Sequence, residues 1–358
     1  MVKIGTASIT DDYLLSERKM GRIASQIAQL RREGKEVIIV SSGAIAAGIK
    51  KLHLTQRPRD INALQATAAV GQGELMKAYA SEFERSGMNV AQILLTRDDF
   101  RSRARFLKIR NTIVTLLKMD AIPVINENDS IAVEEIKFGD NDTLSAIVAS
   151  NIDADLLVLM SSTDGLYTKD PAREKGAQKI DVVHKITEDI TALRGKSRLG
   201  GVGGISSKVS AGKMMMECGI PMAIVDSNME DVLPRLMAGE SVGTVFLPNK
   251  RLENRLQWML YASNTKGSLT VDDGAARILA KGMVSLLPSG ITRVKGTFKK
   301  GDPVTIVDAT GGEIARGMVN YPSDDLTRII GRHTSEIQTI LDRKAPKEII
   351  HHDNMVLL

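Results

Sequence analysis

The fold class follows from one stretch of sequence, Val37-Ile38-Ile39-Val40-Ser41-Ser42-Gly43. Four apolar residues in a row are typical of a strand that is buried on both faces of a parallel sheet. Similar apolar runs recur along the first two-thirds of the chain, at residues 93–95, 122–125, 156–160 and 222–225. Each of these runs predicts another buried strand.

Helical patterns lie between the apolar runs. Ser16 can cap a helix whose apolar positions recur every three or four residues from Met20 to Leu30, and Gly34 lies just past its end. Residues 64–83 and 103–117 show the same period. Because strand and helix alternate this often, the sequence predicts an α/β fold with a mostly parallel sheet sandwiched by helices.

The C-terminal part of the chain has a different texture. Short β-rich runs at residues 294–298, 303–307 and 313–317 are separated by turns rich in Gly, Asp and Lys. We therefore predict two domains, an α/β domain over residues 1–255 and a small β-rich domain over residues 265–358.

Composition excludes several classes of protein. With 43% hydrophobic and 25% charged residues among 358, the chain is neither disordered nor collagen-like. No apolar run reaches the roughly 18 residues of a membrane span, so we expect no membrane partner. The net charge of +5 is spread out, with 13 basic and 11 acidic residues from Ala262 onwards, so we expect no nucleic-acid partner. A single cysteine, Cys218, fits a cytoplasmic location.

Polar residues follow the predicted strands at their carboxyl ends. They are Ser41-Ser42-Gly43, Asn126-Glu127-Asn128-Asp129 and Ser161-Ser162-Thr163-Asp164-Gly165, and Lys3 belongs to a very short first strand. Ligands of open parallel sheets bind outside the carboxyl ends of the strands. The sequence therefore predicts one convergent polar site at this edge.

The run Gly200-Gly201-Val202-Gly203-Gly204-Ile205-Ser206-Ser207-Lys208 predicts a phosphate cradle. Glycines let backbone N–H groups turn towards an anion, the following helix adds the positive end of its dipole, and Lys208 adds a full charge. The run matches neither the Walker A pattern nor the dinucleotide fingerprint. The alternative is a mobile glycine loop with a surface lysine.

The segment Gly139-Asp140-Asn141-Asp142 precedes a helix predicted from Thr143 and follows a hairpin predicted in residues 131–138. Asp142 could simply cap that helix. Two acids and an amide also suit the binding of an ammonium group or the steering of lysines. Carboxylates without histidine in a phosphate-handling site more often meet Mg²⁺ through the nucleotide, so we expect no metal held by the protein alone.

Several motifs together resemble those of a known family. The N-terminal part is similar to the amino-acid kinase family, and within it to the glutamate 5-kinases, whereas the C-terminal part resembles a PUA domain. The segments that carry the first resemblance are residues 2–6, 40–48, 69–72, 94–97, 125–129, 136–146, 165–171 and the glycine loop. Those that carry the second are residues 285–291 and 349–354.

This resemblance implies a reaction and a set of roles. The γ-phosphoryl group of ATP, accompanied by Mg²⁺, would pass to the side-chain carboxylate of L-glutamate in the first step of proline biosynthesis. Lys3 and Lys208 match the lysines that flank the transferring group, and Asp142 matches the acid that orients them. Glutamate-binding positions are matched by Ser42, Asp129 and Asn141, with Asn126 and Asp140 in the same loops. The ATP-binding segments are matched by Lys3, Ser161, Ser162, Val202, Gly203, Gly204, Ile205, Ser206, Ser207 and Lys208.

The resemblance also implies a homo-oligomer, a dimer or tetramer, that L-proline inhibits. The chain departs from the family pattern in a first strand with only two residues before Lys3, and at Ala7, Ser162 and Val202, where serine, aspartate and threonine are common. Two alternatives stay open. One is a kinase for another carboxylate, such as N-acetylglutamate or aspartate, and the other is an RNA-binding protein that works through its PUA domain.

Overall fold

The computed structural model describes residues 1–12, 14–131, 140–169, 171, 174, 176–193, 204–248, 254–282 and 284–358. Contacts divide the chain into two compact units, Met1–Leu252 and Glu253–Leu358. The hairpin that the sequence predicts in residues 131–138 lies almost wholly outside the described residues, as do residues 200–203 of the glycine loop. The domain limits of 1–255 and 265–358 stay a prediction.

Within the described residues, the first unit builds one large sheet and two small hairpins. Its strands are β1 Val2–Ile4, β2 Thr10–Asp11, β3 Leu14–Leu15, β4 Ile39–Ser41, β5 Asn89–Leu95, β6 Ala121–Glu127, β7 Leu157–Ser161, β8 Leu166–Tyr167, β9 Lys179–Ile180, β10 Val182–Val183, β11 Met222–Asp226 and β12 Gly243–Phe246. Eight of them form the large sheet in the order β10-β12-β11-β7-β1-β4-β6-β5. Neighbours run parallel except β11 and β12, so the mostly parallel α/β fold is confirmed.

Helices cover both faces of this sheet. They are α1 Glu17–Arg32, α2 Ala44–Lys51, α3 Ile61–Glu84, α4 Arg97–Arg101, α5 Arg103–Lys118, α6 Asn141–Ile152, α7 Glu188–Ala192, α8 Ile205–Glu217 and α9 Val232–Met237. Apolar side chains of α1, α3 and α9 share one core with alternate residues of the central strands. Helices α6 and α8 pack against the strands and against each other.

The central strand β1 decides on which side Lys3 lies. It has only three residues, as the sequence predicts, but it pairs on both sides, and Lys3 lies opposite Val40 of β4 and Leu159 of β7. Val2 and Ile4 are buried in the core with α1. Because successive side chains of a strand point to opposite faces, Lys3 points to the other face, where α6 packs.

Two helices of the first unit touch backbone to backbone. A Cβ at Gly71 of α3 would lie 1.8 Å from the carbonyl oxygen of Ala44, and a Cβ at Gly48 of α2 would lie 1.9 Å from the carbonyl oxygen of Thr67. Only glycine allows this approach, which fixes the position of α3 against α2. The residue after Gly71 is Gln72, which is thereby held beside the end of β6.

Caps shift two helix starts relative to the sequence predictions. Helix α3 begins at Ile61 rather than Leu64, because the Asp60 carboxylate accepts a hydrogen bond from the Ala63 N–H at 2.9 Å. Helix α6 begins at Asn141 rather than Thr143, because Asp140 accepts from the Thr143 N–H at 2.9 Å. The prediction that Asp142 caps the helix is therefore wrong, and its carboxylate is available for other partners.

The second unit contains a five-stranded sheet among its described residues. Its elements are α10 Asn254–Gln257, a π-helical turn Trp258–Ala262, β13 Gly267–Val271, α11 Asp273–Leu279, β14 Ile291–Gly296, β15 Pro303–Val307, β16 Glu313–Met318, α12 Ser323–Ile329, α13 Ile337–Leu341 and β17 Met355–Leu357. The strand order is β14-β13-β15-β16-β17. Strands β13 and β17 were not predicted, because β13 has only two large apolar residues, Leu269 and Val271, and β17 is only three residues long. In the described part of the chain, no helix is long and apolar enough to span a membrane.

Candidate active site

Three side chains from three elements meet at the carboxyl edge of the large sheet. The Nζ atom of Lys3 lies 2.5 Å from Oδ1 of Asp142, and the Nζ atom of Lys208 lies 3.1 Å from Oδ2 of the same carboxylate. Lys3 comes from β1, Asp142 from the first turn of α6 and Lys208 from the first turn of α8. The structure thus brings together all three residues that the sequence analysis assigned to catalysis.

In this cluster one buried carboxylate forms ion pairs with two ammonium groups, which leaves a net charge of +1. The Asp142 side chain is fully buried, and the side chains of Lys3 and Lys208 are 8% and 12% exposed. The alternative interpretation of Lys208 as a surface lysine is therefore wrong. Burial raises the pKa of the Asp142 carboxyl, but the charges of Lys3 and Lys208, with hydrogen bonds from Lys3 and Ser207, outweigh burial and lower the pKa to about 2. Asp142 is accordingly an anion at neutral pH.

The first turn of α8 supplies two of the partners of Asp142. Gly204 stands at the N-cap with an extended backbone, and the Ser207 hydroxyl lies 2.8 Å from both the Gly204 carbonyl oxygen and Oδ2 of Asp142. Because the two helices α6 and α8 begin at the same place, the positive ends of both helix dipoles favour an anion there. Their N-termini and the two lysines create a positive environment suited to phosphate.

A second, uncharged cluster begins at the residue before Asp142. The Nδ2 atom of Asn141 lies 2.8 Å from the Ser42 hydroxyl, 2.9 Å from the Ser41 carbonyl oxygen and 3.0 Å from Oδ1 of Asn126. Asn126 in turn donates to Oε1 of Gln72 at 2.9 Å. We call these four side chains, Ser42, Asn141, Asn126 and Gln72, the amide network. It joins the ends of β4 and β6 to helices α6 and α3.

A pocket of about 300 Å³ adjoins the amide network. Its wall includes Gln72 of α3, Gln92 of β5 and the segment Glu127, Asn128, Asp129 and Ser130 at the end of β6. Asp129, which the sequence analysis assigned to substrate binding, thus lines the same pocket as Gln72 of the amide network. Asp140 instead caps α6 through its side chain.

The remaining predicted ATP-binding residues fall into two places. Ser161 and Ser162 lie at the carboxyl end of β7, which neighbours β1 on the side away from β4, and Ser162 is exposed. Gly204, Ile205 and Ser206 start α8 beside Ser207, with Ile205 41% exposed. Val202 and Gly203 lie outside the described residues.

Sequence reasoning gave no role to three polar residues that support the site. They are Ser41 and Tyr79, whose side-chain oxygens lie 2.8 Å apart in a buried hydrogen bond, and Gln72. Gln72 carried a detectable signal, because it precedes the buried residues Leu75, Tyr79 and Phe83 by helical spacing and so lies on the buried face of α3. A polar residue on that face needs a polar partner.

A possible metal-ligand group lies in the second unit. Ligand atoms of His351, His352 and Asp353 are within 4.8 Å of one another. Nδ1 of His351 already accepts a hydrogen bond from the Asp353 N–H at 3.3 Å, and Nδ1 of His352 lies 3.4 Å from the Ser285 hydroxyl. We assign no role in catalysis to this group, since it belongs to the turn that leads into β17.

Family comparisons agree with the architecture. Residues 1–226 match the model of the amino acid kinase family, and residues 267–341 match that of the PUA domain. A glutamate 5-kinase of Caldanaerobacter subterraneus is 45% identical over 361 aligned residues, which span 100% of this chain and 97% of that protein. A glutamate 5-kinase of Geobacter sulfurreducens is 46% identical with the same coverage.

Solved structures share the fold at low sequence identity. The carbamate kinase of Giardia lamblia, bound to AMP-PNP, has a TM-score of 0.51 at 13% identity and covers 69% of this chain and 97% of its own. The isopentenyl phosphate kinase of T. acidophilum, in a product complex, has a TM-score of 0.50 at 16% identity, with 68% and 98% covered. These structures show the shared fold, and the family model and the full-length relatives show the family: the chain belongs to the amino acid kinase family and, within that family, to the glutamate 5-kinases.

Proposed function

We propose that this kinase transfers the γ-phosphoryl group of ATP to the side-chain carboxylate of L-glutamate. The product is L-glutamyl 5-phosphate, and the reaction is the first step of proline biosynthesis. One observation carries the proposal: a fully buried Asp142 carboxylate holds Lys3 and Lys208 at one spot, at the N-termini of two helices.

Charge is the main obstacle to this reaction, because both the donor phosphate and the acceptor carboxylate are anions. Phosphoryl transfer leaves little covalent work to the protein, which must position the groups and stabilise the charge that develops. We assign that task to Lys3 and Lys208, which Asp142 orients from either side. Preorganised charges of this kind need no rearrangement during the reaction, and a low-exposure site strengthens them.

Magnesium enters this proposal as part of the substrate Mg-ATP. Both oxygens of Asp142 already contact the ammonium groups or the Ser207 hydroxyl, so this carboxylate suits the role of a counter-ion better than that of a metal ligand. The metal, when bound to ATP, neutralises phosphate charge. The protein residues bind and orient the phosphate around it.

The acceptor needs no general base, since a carboxylate is its own nucleophile. We propose that Ser42, Asn141 and Asn126 position the glutamate beside Lys3, with Asp129 and Asp140 in the same loops. The amide network lies at the ends of β4 and β6, and β4 neighbours β1, so it adjoins Lys3 along the sheet edge. ATP would then occupy the other side, towards Ser161, Ser162 and the start of α8, and we propose that Val202 and Gly203 of the glycine loop also bind it.

Our proposal also covers partners and location. A homo-oligomer, dimer or tetramer, that L-proline inhibits follows from the resemblance to the family. A cytoplasmic location suits the single cysteine, Cys218, which is buried and cannot form a disulfide within one chain. Nucleic acid has no part in it, because the basic charge is weak and spread over both domains.

The test is ADP release from Mg-ATP with purified full-length protein. We expect release with L-glutamate and inhibition by added L-proline. L-Aspartate and N-acetyl-L-glutamate serve as comparison substrates, and release that occurs only with one of them would contradict the assignment. Absence of ADP release together with salt-dependent RNA binding would instead favour a regulatory protein.

A further inference from the structure

The pocket beside the amide network contains a buried donor with no partner in the described part of the chain. This donor is the Nε2 atom of Gln72, a residue that is 9% exposed and lines the pocket. A buried N–H group that lacks a partner is costly, because it has given up its hydrogen bonds to water without replacing them. Such a group at a pocket wall therefore points to a ligand that accepts a hydrogen bond there.

The orientation of the Gln72 amide follows from its neighbours. The backbone N–H of Glu127 can only donate, and it lies 2.9 Å from Oδ1 of Asn126. Nδ2 of Asn126 must therefore be the atom that faces Gln72, where it donates to Oε1 at 2.9 Å. If the Gln72 amide were flipped, its Nε2 donor would face the Nδ2 donor of Asn126. Nε2 is therefore the atom that remains for a ligand.

The other groups of the pocket indicate what kind of ligand this is. Glu127 and Asp129 line the same pocket, and acidic residues suit an ammonium group. The Nε2 donor suits a carboxylate, which only accepts hydrogen bonds. A carboxylate and an ammonium group side by side are the head group of an α-amino acid.

The position of the pocket relative to Lys3 agrees with this head group. Strand β6 lies two strands from β1 in the sheet, which is about 10 Å at about 4.8 Å per strand. We propose that Gln72 Nε2 donates to the α-carboxylate of L-glutamate and makes the kinase selective for that charged group, while the side-chain carboxylate points towards Lys3. This inference rests on the function proposed above and adds a specificity-determining residue to it.

The substitution Gln72→Glu separates a substrate contact from a structural role. It keeps an oxygen that accepts from Asn126 but replaces the Nε2 donor with a second oxygen. Selectivity is measured as the ratio of kcat/KM for L-glutamate to that for L-isoglutamine, in which the α-carboxylate is a neutral carboxamide. We expect the variant to lower this ratio at least about tenfold, because its carboxylate repels the α-carboxylate but accepts from the carboxamide. The KM for ATP should stay unchanged.

The matched control is Gln92→Glu, which adds the same charge at an exposed position of the same pocket. It should leave the selectivity ratio within about twofold of the wild-type value, since exposed charges are screened. An unchanged ratio in Gln72→Glu, or an equal drop in both variants, would overturn the inference. A wild-type protein that does not discriminate between the two substrates would also overturn the inference. This second outcome does not depend on how well the variant folds.

The inference and the proposed function fail in different ways. If the wild-type protein releases no ADP with L-glutamate, the proposed function is wrong. Calorimetric titration with L-glutamate and L-isoglutamine then measures the same selectivity as a ratio of dissociation constants. A ratio that Gln72→Glu lowers supports the carboxylate contact, and a ratio near one in the wild-type protein overturns it.

Discussion

Asn141 and Asp142 are consecutive residues in the first turn of α6, yet their side chains enter two very different surroundings. Asp142 lies between two ammonium groups, with three full charges buried together. Asn141 lies among hydroxyl, carbonyl and amide groups that carry no net charge. The backbone of one helical turn thus links a charged cluster to a neutral network.

The difference teaches how the two halves of the site are specialised. Charges in a buried place interact strongly, and each depends on the others for compensation. The amide network is held by several short hydrogen bonds, each of which is weaker but directional. We therefore expect the charged cluster to determine the reaction rate and much of the local stability, and the network to determine which substrate binds.

The largest effect should come from Asp142→Asn, which leaves two buried lysines without their counter-ion. Breaking a buried ion pair by removing one partner costs about 3–5 kcal/mol, and here the new NH₂ group would also oppose a lysine. We expect a loss of this size in the free energy of unfolding, measured by urea denaturation. The control is Asp140→Asn two residues earlier, because asparagine caps a helix as well as aspartate does. Equal losses of unfolding free energy in the two variants would show that the charged cluster does not contribute more stability than the helix cap.

Lys208→Ala should have the next largest effect, on turnover. Removing one donor that stabilises the transition state lowers kcat by about 100-fold or more. Lys213→Ala on the same helix is the matched control, because that lysine is 60% exposed and its ion pair with Glu217 is long, at 3.9 Å. ADP release at saturating substrates measures both variants. Near-normal turnover of the Lys208 variant would contradict the assignment of the site.

Much of the fold could be predicted from the sequence because its signals are local. The strand predicted at residues 37–40, which the structure has at Ile39–Ser41, and the helix capped by Ser16 each follow from a few neighbouring residues. The strand-end rule also placed Lys3, Ser42 and Asn126 at one edge. It could not place them in order along the edge, since the strand order depends on contacts across the whole chain.

The roles of individual side chains were harder to predict. The sequence left Asp142 as either a cap or an orienting acid, because the deciding contact comes from Lys208, 66 residues away. Gln72 lies on the buried face of a helix, yet its spacing alone names no partner. That partner, Asn126, follows from the close packing of α2 and α3 at Gly48 and Gly71.

An acid titration should show the contribution of the charged cluster separately. The pKa of Asp142 is about 2 in the folded protein against 3.8 ordinarily, so its ionised form stabilises the fold above about pH 4. That stabilisation, about 2–3 kcal/mol at about 1.4 kcal/mol per pKa unit, is lost as the pH falls towards 2. The difference in unfolding free energy between the wild type and Asp142→Asn should therefore shrink by about this amount between pH 5 and pH 2.

Asp120→Asn is the control for that titration, because the Asp120 side chain is 90% exposed. Its difference from the wild type should stay small, because the ion pair of Asp120 with Arg31 lies at the surface and contributes little. A difference for Asp142→Asn that does not shrink with falling pH would mean that the lysines do not hold the carboxylate in the folded protein.

The smallest effect should come from Tyr79→Phe, beneath the neutral network. Ser41 donates to the Ser42 carbonyl oxygen at 2.9 Å, so the Tyr79 hydroxyl, 2.8 Å from the Ser41 hydroxyl, is the donor of that pair. Its loss leaves one neutral acceptor without a donor and should cost about 1 kcal/mol of unfolding free energy. Tyr167→Phe removes a hydroxyl that donates to Asp164 near the surface, and should cost less than about 0.5 kcal/mol. An equal loss of unfolding free energy in Tyr79→Phe and Asp142→Asn would contradict this comparison. One neutral hydrogen bond would then contribute as much stability as two buried ion pairs, and the neutral and charged regions would not differ in the way proposed.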